Sequence, residues 1–357
     1  MKALITAGGH GTRLRPITYS MNKHLIPIAN KPMIVHALEK VAEAGIKEAA
    51  INVNEGDHSI QEAVGDGSRW GLKITCIEQV GGALGLGHII KNAQDWLGDD
   101  DFVFYLGDNI ILGSIKPFVE NFKASKANGY LALSKVPDPE RFGVPEINEN
   151  GEIVRVLEKP ENPPSDFAVT GIYCYDKSVH DAVNNTKPSA RGELEISDVH
   201  TYMIENGGTL KYEVVEGWWK DTGKPSDLIE GNALMLDTLN ASNEARTVDD
   251  RVVIEGDVEI MEGAQLLGST YLKGPVSIGR GAIIRDSRIL PHTSVGHNTE
   301  VSGAEIERAI IMDEADIDCD KRIVDSIIGH NATITNAHDT KPNGHRMIIG
   351  ENAQVEL

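Results

Sequence analysis

The chain has 357 residues, with 34 Lys and Arg against 54 Asp and Glu and a formal net charge of −20. A field of that sign repels nucleic acid and anionic membrane surfaces, so neither is expected as a partner, although one local cationic pocket remains compatible. The composition, 40% hydrophobic and 25% charged, is that of a globular protein long enough for two cores. Cys76, Cys174 and Cys319 are widely spaced, which suits reduced thiols rather than a disulfide frame or a zinc site; with no basic-then-apolar leader and no long apolar run, a cytoplasmic protein is expected.

The first 38 residues contain no Asp or Glu but hold Lys2, Arg13, Arg15, Lys23 and Lys31. Composition alone would give such an acid-free start about 2 times in 1,000. Ala3–Thr6 reads as a strand running into a turn with Gly8, Gly9 and Gly11. Glycines let backbone N–H groups approach phosphate oxygens, and clustered cations favour a polyanion such as a nucleoside triphosphate. The loop is not a P-loop, because no G-x-x-x-x-G-K-[ST] occurs, and it lacks the third glycine of a dinucleotide fingerprint. A plain strand-to-helix connection is the alternative reading.

Next, Pro32 to Ala44 carries apolar residues at helical spacing: Ile34, Ala37, Leu38 and Val41. Ala49–Val53 reads as a strand, Ser59–Val64 as a helix, Leu72–Ile77 as a strand, Leu86–Trp96 as a helix and Phe102–Leu106 as a strand. Short apolar strands alternating with amphipathic helices predict an α/β domain, its mostly parallel sheet covered on both faces. Ligands bind at the C-terminal edge of such sheets, where Gly8–Arg15 and Gly107–Asn109 both fall.

After Asn240 the texture changes, which divides the chain into domains at 1–240 and 241–357. Ile254, Ile260, Leu266, Leu272 and Ile278 are spaced by six, and Ile283, Ile289, Val295 and Val301 resume that spacing after a slip of one. Ile311, Ile317 and Ile323 repeat it, as do Ile328 and Ile334. A six-residue period is that of a parallel β-helix, with aliphatic residues stacked inward once per face. His338–Met347 breaks the pattern and reads as a loop. Stacked coils expose edges, so a homo-oligomer is expected.

Gly8-Gly-His-Gly-Thr-Arg-Leu-Arg-Pro16, Lys23-His-Leu-Ile-Pro27 and Asn30-Lys-Pro32 together resemble the signature of the sugar-phosphate nucleotidyltransferases. Leu106-Gly-Asp-Asn109, Phe142-Gly-Val144, Glu158-Lys-Pro160, Phe167–Tyr173, Lys187–Ile196 and Trp219-Lys-Asp-Thr-Gly223 follow in the family's order. The set is similar in particular to the thymidylyl-transferring members in their long form, which carry a hexapeptide tail. The resemblance implies a Rossmann-like domain with a mixed, mostly parallel sheet, followed by a left-handed parallel β-helix. It implies transfer of a thymidylyl group from dTTP to glucose 1-phosphate, by in-line attack at the α-phosphorus with Mg²⁺ and release of pyrophosphate.

Site residues follow from the same matches. Arg13 and Lys23 would bind and polarise the triphosphate, together with Gly8, Gly9, Gly11 and Thr12. Asp108 and Asp221, each at a polar, glycine-flanked tip, would hold Mg²⁺; on residue type alone they read sooner as Asx turns, and the matched motifs reverse that. Arg13, Lys23 and Asp108 are the catalytic set. Lys159 and Arg191 match positions that hold the sugar phosphate, Glu158, Gly143 and Val169 those that contact the sugar, and Trp219 would wall that pocket. Gln79 would pair with the base edge, and Gly85 would let the base approach the backbone. Here the chain departs from the family: Gln79-Val-Gly-Gly-Ala-Leu-Gly85 has two extra glycines and lacks the usual proline. UTP use, an amino-sugar phosphate, or a non-catalytic nucleotide-sugar-binding module are the alternatives. An acyltransferase role for the tail is disfavoured, since only about five coils can be built from it.

Overall fold

The computed structural model describes residues 1–215, 219–336, 347 and 351–356. Two compact units emerge, and they are interleaved in sequence. The first comprises residues 1–10, 22–25 and 33–221; the second comprises 11–21, 26–32 and 222–357.

The first unit is built on a seven-stranded sheet in the order Leu210–Val214, Gly129–Lys135, Phe167–Tyr175, Phe102–Leu106, Lys2–Thr6, Glu48–Asn54, Lys73–Gln79. Only Phe167–Tyr175 runs antiparallel to its neighbours. Ala3, Leu4 and Ile5 are all fully buried, because each face of the sheet is covered. Ala3 and Ile5 pack with Ile34, Leu38 and Val41 of the helix Met33–Glu43, whereas Leu4 joins Ile89, Ile90, Val199 and Met203 on the other face. From Lys2–Thr6 the chain builds outward to one side, then returns to place Phe102–Leu106 on the other. That reversal opens a crevice at the C-terminal ends of these two strands.

The strands and helices lie where the periodicity places them, within one or two residues at their ends. One segment differs: the helix expected over Leu86–Trp96 is divided into Leu86–Asn92 and Gln94–Leu97, with Ala93 between them.

The second unit contains a left-handed parallel β-helix. Short parallel strands stack into three sheets of six, six and five strands. Val258 pairs with Val276, eighteen residues on, so one coil is three faces of about six residues. The inward positions run through Ile260, Leu266, Leu272, Ile278, Ile284, Ile289, Val295 and Val301, all fully buried. This corrects the expected register at one place. Ile284 points inward and Ile283 is half-buried, so the slip falls after Ile284, in a face shortened by one residue. Ile306 is a further inward residue that the six-residue spacing had passed over. Of the expected loop His338–Met347, only Met347 is among the described residues.

The signature segment Asn30-Lys-Pro32 belongs to this unit. Asn30 Nδ2 donates to Ser277 Oγ and to Val295 O, both at 2.9 Å. Asn232, fully buried in the helix Pro225–Leu236, accepts from Ala29 N (2.8 Å) and Ser294 Oγ (3.0 Å) and donates to His292 O (3.2 Å). Among the described residues, no helix is long and apolar enough to cross a membrane.

Candidate active site

In the first unit a cleft of about 280 Å³ opens where the strands Lys2–Thr6 and Phe102–Leu106 end. Thr6, Gly8, Gly9, Lys23, His24 and Asp108 form one wall. Gln79, Ala83, Gly85 and Leu86 form another, and Glu158, Lys159, Arg191, Glu193 and Glu195 a third. Nine of the residues expected from sequence therefore meet here.

Lys23 Nζ and the Asp108 carboxylate form a close ion pair, both side chains mostly buried. Burial alone would raise the Asp108 carboxyl. The Lys23 ammonium and the hydrogen bonds from Lys23 and Asn109 act together against it and hold that carboxyl far below the usual carboxylate range. Gly9 leaves room for the lysine stem: a Cβ there would stand 2.6 Å from Lys23 Cε. Behind the pair lies His24, a residue the sequence reading had not singled out. Burial, with the neighbouring Lys23 charge, pushes its ring down to about 3, so it is neutral at physiological pH. Its Nδ1 lies 2.9 Å from Asn22 Oδ1 and must donate to it, which leaves Nε2 as the bare nitrogen.

Asp108 is oriented by its neighbour. Asn109 Nδ2 donates to Asp108 Oδ1 at 3.0 Å, while Asn109 Oδ1 accepts from Trp219 Nε1 at 2.6 Å. The strand Asn109–Ile111 pairs antiparallel with Trp219–Asp221, placing Asp221 directly opposite Asn109. Asp221 thus stands opposite the residue that follows Asp108, at one end of this short ladder. Asp221 and Trp219 lie outside the cleft lining; the Trp219 ring packs edge-on against Phe142, with centroids 5.4 Å apart.

On the third wall, Glu158 Oε2 accepts from Ser197 Oγ at 2.8 Å, and Glu158 Oε1 accepts from Lys159 Nζ (3.0 Å) and Arg191 Nη2 (3.3 Å). Lys159 sits at φ 44°, a left-handed conformation that a lysine rarely adopts. Arg191 also donates through Nε and Nη2 to Glu195 Oε1, at 3.1 and 2.8 Å, and Ser189 Oγ donates to the same oxygen at 2.7 Å. Glu195 lies inside the matched motif Lys187–Ile196 and Ser197 directly after it, and the motif assigns neither a role. Gly143 pairs with Glu158 across the ladder, and a Cβ there would come within 2.7 Å of Ser197 Oγ. Val169 is buried in the reversed strand and is absent from the cleft lining.

Gln79 ends its strand almost wholly buried, with its carboxamide at the cleft. The loop after it is stitched down by backbone bonds from Leu194 N to Leu84 O (2.7 Å) and from Gly87 N to Leu194 O (2.9 Å). Gly85 has φ 95°, and a Cβ there would stand 2.6 Å from Leu194 O, so the close approach that glycine permits is to Leu194. Gly11, Thr12 and Arg13 fall in the second unit. Gly11 is left-handed at φ 58° and opens the 3-10 turn Thr12–Leu14, on which Leu14 is buried and Thr12 and Arg13 are exposed.

Residues 2–238 match the family model described as nucleotidyl transferase. The chain belongs to the nucleotidyl transferase family. Over its full length it is 43% identical to a glucose-1-phosphate thymidylyltransferase of Streptomyces antibioticus, covering 99% of that protein. It is 42% identical, again over the whole of both chains, to a low-salt glycan biosynthesis nucleotidyltransferase of Haloferax volcanii. A crystal structure from Bacillus anthracis, assigned as a glucose-1-phosphate thymidylyltransferase, superposes with a TM-score of 0.63 at 39% identity. It covers 68% of this chain and 98% of its own. The cleft gathers three cations around one opening, Lys23, Lys159 and Arg191, each paired with a carboxylate of the same lining: Asp108, Glu158 and Glu195.

Proposed function

We propose that this nucleotidyl transferase moves a deoxythymidylyl group from dTTP to glucose 1-phosphate and releases pyrophosphate. The observation that carries the reading is one cleft with a Lys23–Asp108 pair on one wall, a Glu158–Lys159–Arg191 cluster on another and the buried Gln79 amide on a third. The identity to thymidylyltransferases along the whole chain supports it.

The reaction brings two anions together, so positioning and charge neutralisation dominate its barrier. Lys159 and Arg191 would hold the sugar phosphate, whose ionised oxygen attacks the α-phosphorus in line and needs no general base. Glu158 would accept from the sugar hydroxyls, oriented by Ser197. Lys23 would turn its ammonium from Asp108 toward the triphosphate. Gly11, Thr12 and Arg13 keep the triphosphate role that the family motif gives them. Asp108 and Asp221 fit Mg²⁺. They are two carboxylates at one end of a short ladder, Asp221 opposite Asn109 and Asp108 just before it, and the Lys23 ammonium already rests on Asp108 as a cation would. Among the described residues no cluster of three His, Cys, Asp or Glu could hold a metal, so phosphate oxygens and water would complete the shell. When bound, Mg²⁺ supplies neutralisation of the phosphate charge as it develops.

The test is incubation with Mg²⁺, glucose 1-phosphate and each of the five common nucleoside triphosphates, read by pyrophosphate release. Release with dTTP alone is expected. Equal or better release with UTP would move the assignment to a uridylyltransferase. No release with any nucleotide would point to another sugar phosphate, such as an amino-sugar phosphate, or to a binding module. We take the protein to be a cytoplasmic homo-oligomer. The unpaired Cys76, Cys174 and Cys319 suit a reducing compartment, and the first coil exposes Val248, Val253 and Ile254. A monomeric mass in light scattering at micromolar protein would overturn the oligomer.

A further inference from the structure

Two buried amides meet beneath the glycine loop of the first unit. Asn52 lies on the strand Glu48–Asn54 and Gln79 ends the neighbouring strand Lys73–Gln79; they are 1% and 4% exposed. Asn52 Nδ2 donates to Gln79 Oε1 at 3.0 Å. Gly8 closes over the pair: a Cβ there would stand 2.9 Å from Asn52 Nδ2 and 3.2 Å from Gln79 Oε1. The other end of the Gln79 amide, Nε2, lies 3.5 Å from His88 Nδ1. Burial lowers the His88 ring, with Lys91 adding to it, so that nitrogen is available as an acceptor.

We infer that Asn52 is a positioning residue for base selection: it fixes which end of the Gln79 carboxamide faces the nucleotide, and so favours a keto pyrimidine over an amino pyrimidine. This rests on the nucleotidyl-transfer reading of the cleft. A carboxamide offers a donor and an acceptor side by side. With Nε2 turned to the base it donates to a ring carbonyl, and the second lone pair of Oε1 accepts from the adjacent ring N–H. Thymine and uracil present that carbonyl and N–H together. Cytosine presents an amino group beside a bare ring nitrogen, which the same carboxamide matches only after a half-turn. That turn would bring Gln79 Nε2 against Asn52 Nδ2, donor to donor. Turning Asn52 as well restores one bond but strands its buried N–H₂ where its Oδ1 now stands without a partner. An orphaned carbonyl oxygen is tolerated better than an orphaned N–H. The pair therefore resists inversion.

The experiment compares kcat/KM for dTTP and dCTP, with glucose 1-phosphate saturating, in the wild type, Asn52→Leu, Gln79→Ala and the double variant. Leucine keeps the volume and removes the donor. Asn52→Leu should lower the dTTP-over-dCTP ratio at least tenfold, mainly through KM for dTTP, and should lower it no further in the Gln79→Ala background. A loss of active protein moves both nucleotides together and leaves the ratio alone, so an unmoved ratio overturns the inference. So does a fall of the same size without Gln79. If Asn52→Leu does not fold, Gly8→Ala presses on the same pair and should shift the ratio in the same direction. A wild-type ratio at or below one sinks the inference and the proposed dTTP specificity together. A high wild-type ratio that survives both variants sinks only the role of Asn52.

Discussion

Gly171→Ala should damage catalysis from inside a strand, without touching any charged group. A Cβ at Gly171 would stand 2.5, 2.6 and 2.8 Å from the Cγ, Oδ1 and Nδ2 of Asn109, well inside ordinary contact. Asn109 is 3% exposed and both ends of its amide are engaged, to Asp108 at 3.0 Å and Trp219 at 2.6 Å. It cannot retreat by most of an ångström and keep both bonds. A hydrogen bond to a charged group contributes about 1.5–3 kcal/mol, which is about 10- to 150-fold in whatever depends on Asp108 being aimed. The assay is pyrophosphate release at saturating dTTP and glucose 1-phosphate across a Mg²⁺ titration, with a thermal melt to establish that the variant folds. A kcat lowered by that factor, with a higher Mg²⁺ requirement, is expected. A folded variant within twofold of wild-type kcat at the same Mg²⁺ would refute the claim that Asn109 aims Asp108.

Asp108→Asn should lower kcat about 100-fold or more while the protein stays folded, because a lost electrostatic contact to the reacting phosphates is of that order; near-normal turnover at saturating Mg²⁺ would remove Asp108 from the metal site. His200, wholly buried with its Nε2 2.5 Å from the Tyr175 hydroxyl, is pushed down to about 3 by burial. Its folded value lies below its unfolded one, so its contribution is complete above about 6.5 and is lost as pH falls from there toward 3. Between pH 7.5 and 5.5 this amounts to about 1.4 kcal/mol. His200→Gln should flatten the urea-denaturation profile by that much, and an unchanged pH slope would refute it. Asn232→Ala should destabilise the second unit by at least about 2 kcal/mol, since it strands buried partners at Ala29 N and Ser294 Oγ; an unchanged denaturation midpoint would contradict that.

Much of this architecture is legible because burial writes itself into residue type. A strand covered on both faces is a continuous apolar run, as in Phe102–Leu106, and a coil of three faces repeats an aliphatic residue every six positions. The errors are equally physical. Ile283 and Ile284 are both β-branched and adjacent, so residue type alone does not say which of them faces inward. At Ala93 the two short helices meet on a residue that favours helix, so nothing in the local sequence marks the break. The interleaving of residues 11–21 and 26–32 with the β-helix unit depends on contacts such as Asn30 to Val295, 265 residues apart, that no window of sequence contains. The same holds within the site. Lys23, Asp108, Glu158 and Arg191 are conspicuous in their motifs. Asn52, Asn109 and Ser197 read as ordinary polar residues until the fold brings them against Gln79, Trp219 and Glu158.

These supporting residues share a property that bears on why the site works. Asp108 is aimed by Asn109, Gln79 by Asn52, His24 by Asn22 and Glu158 by Ser197, every one a neutral group. Asn109, Asn52 and Ser197 aim by donating, which a carboxylate cannot do; Asn22 aims by accepting, and a carboxylate there would add a negative charge next to a cleft meant for two anions. In a buried setting that repulsion is weakly screened and acts on both substrates at once. Neutral amides and hydroxyls fix direction without adding to the charges already in the lining, which are Lys23, Lys159 and Arg191 with Asp108, Glu158, Glu193 and Glu195. The exception is Arg191, which Glu195 holds by two hydrogen bonds, and it stands on the wall farthest in sequence from the acid-free start. The absence of Asp and Glu from residues 1–38 is then more than a cationic surface. It extends to residues such as Asn22 and His24, whose carboxylate equivalents would oppose a triphosphate from behind the loop.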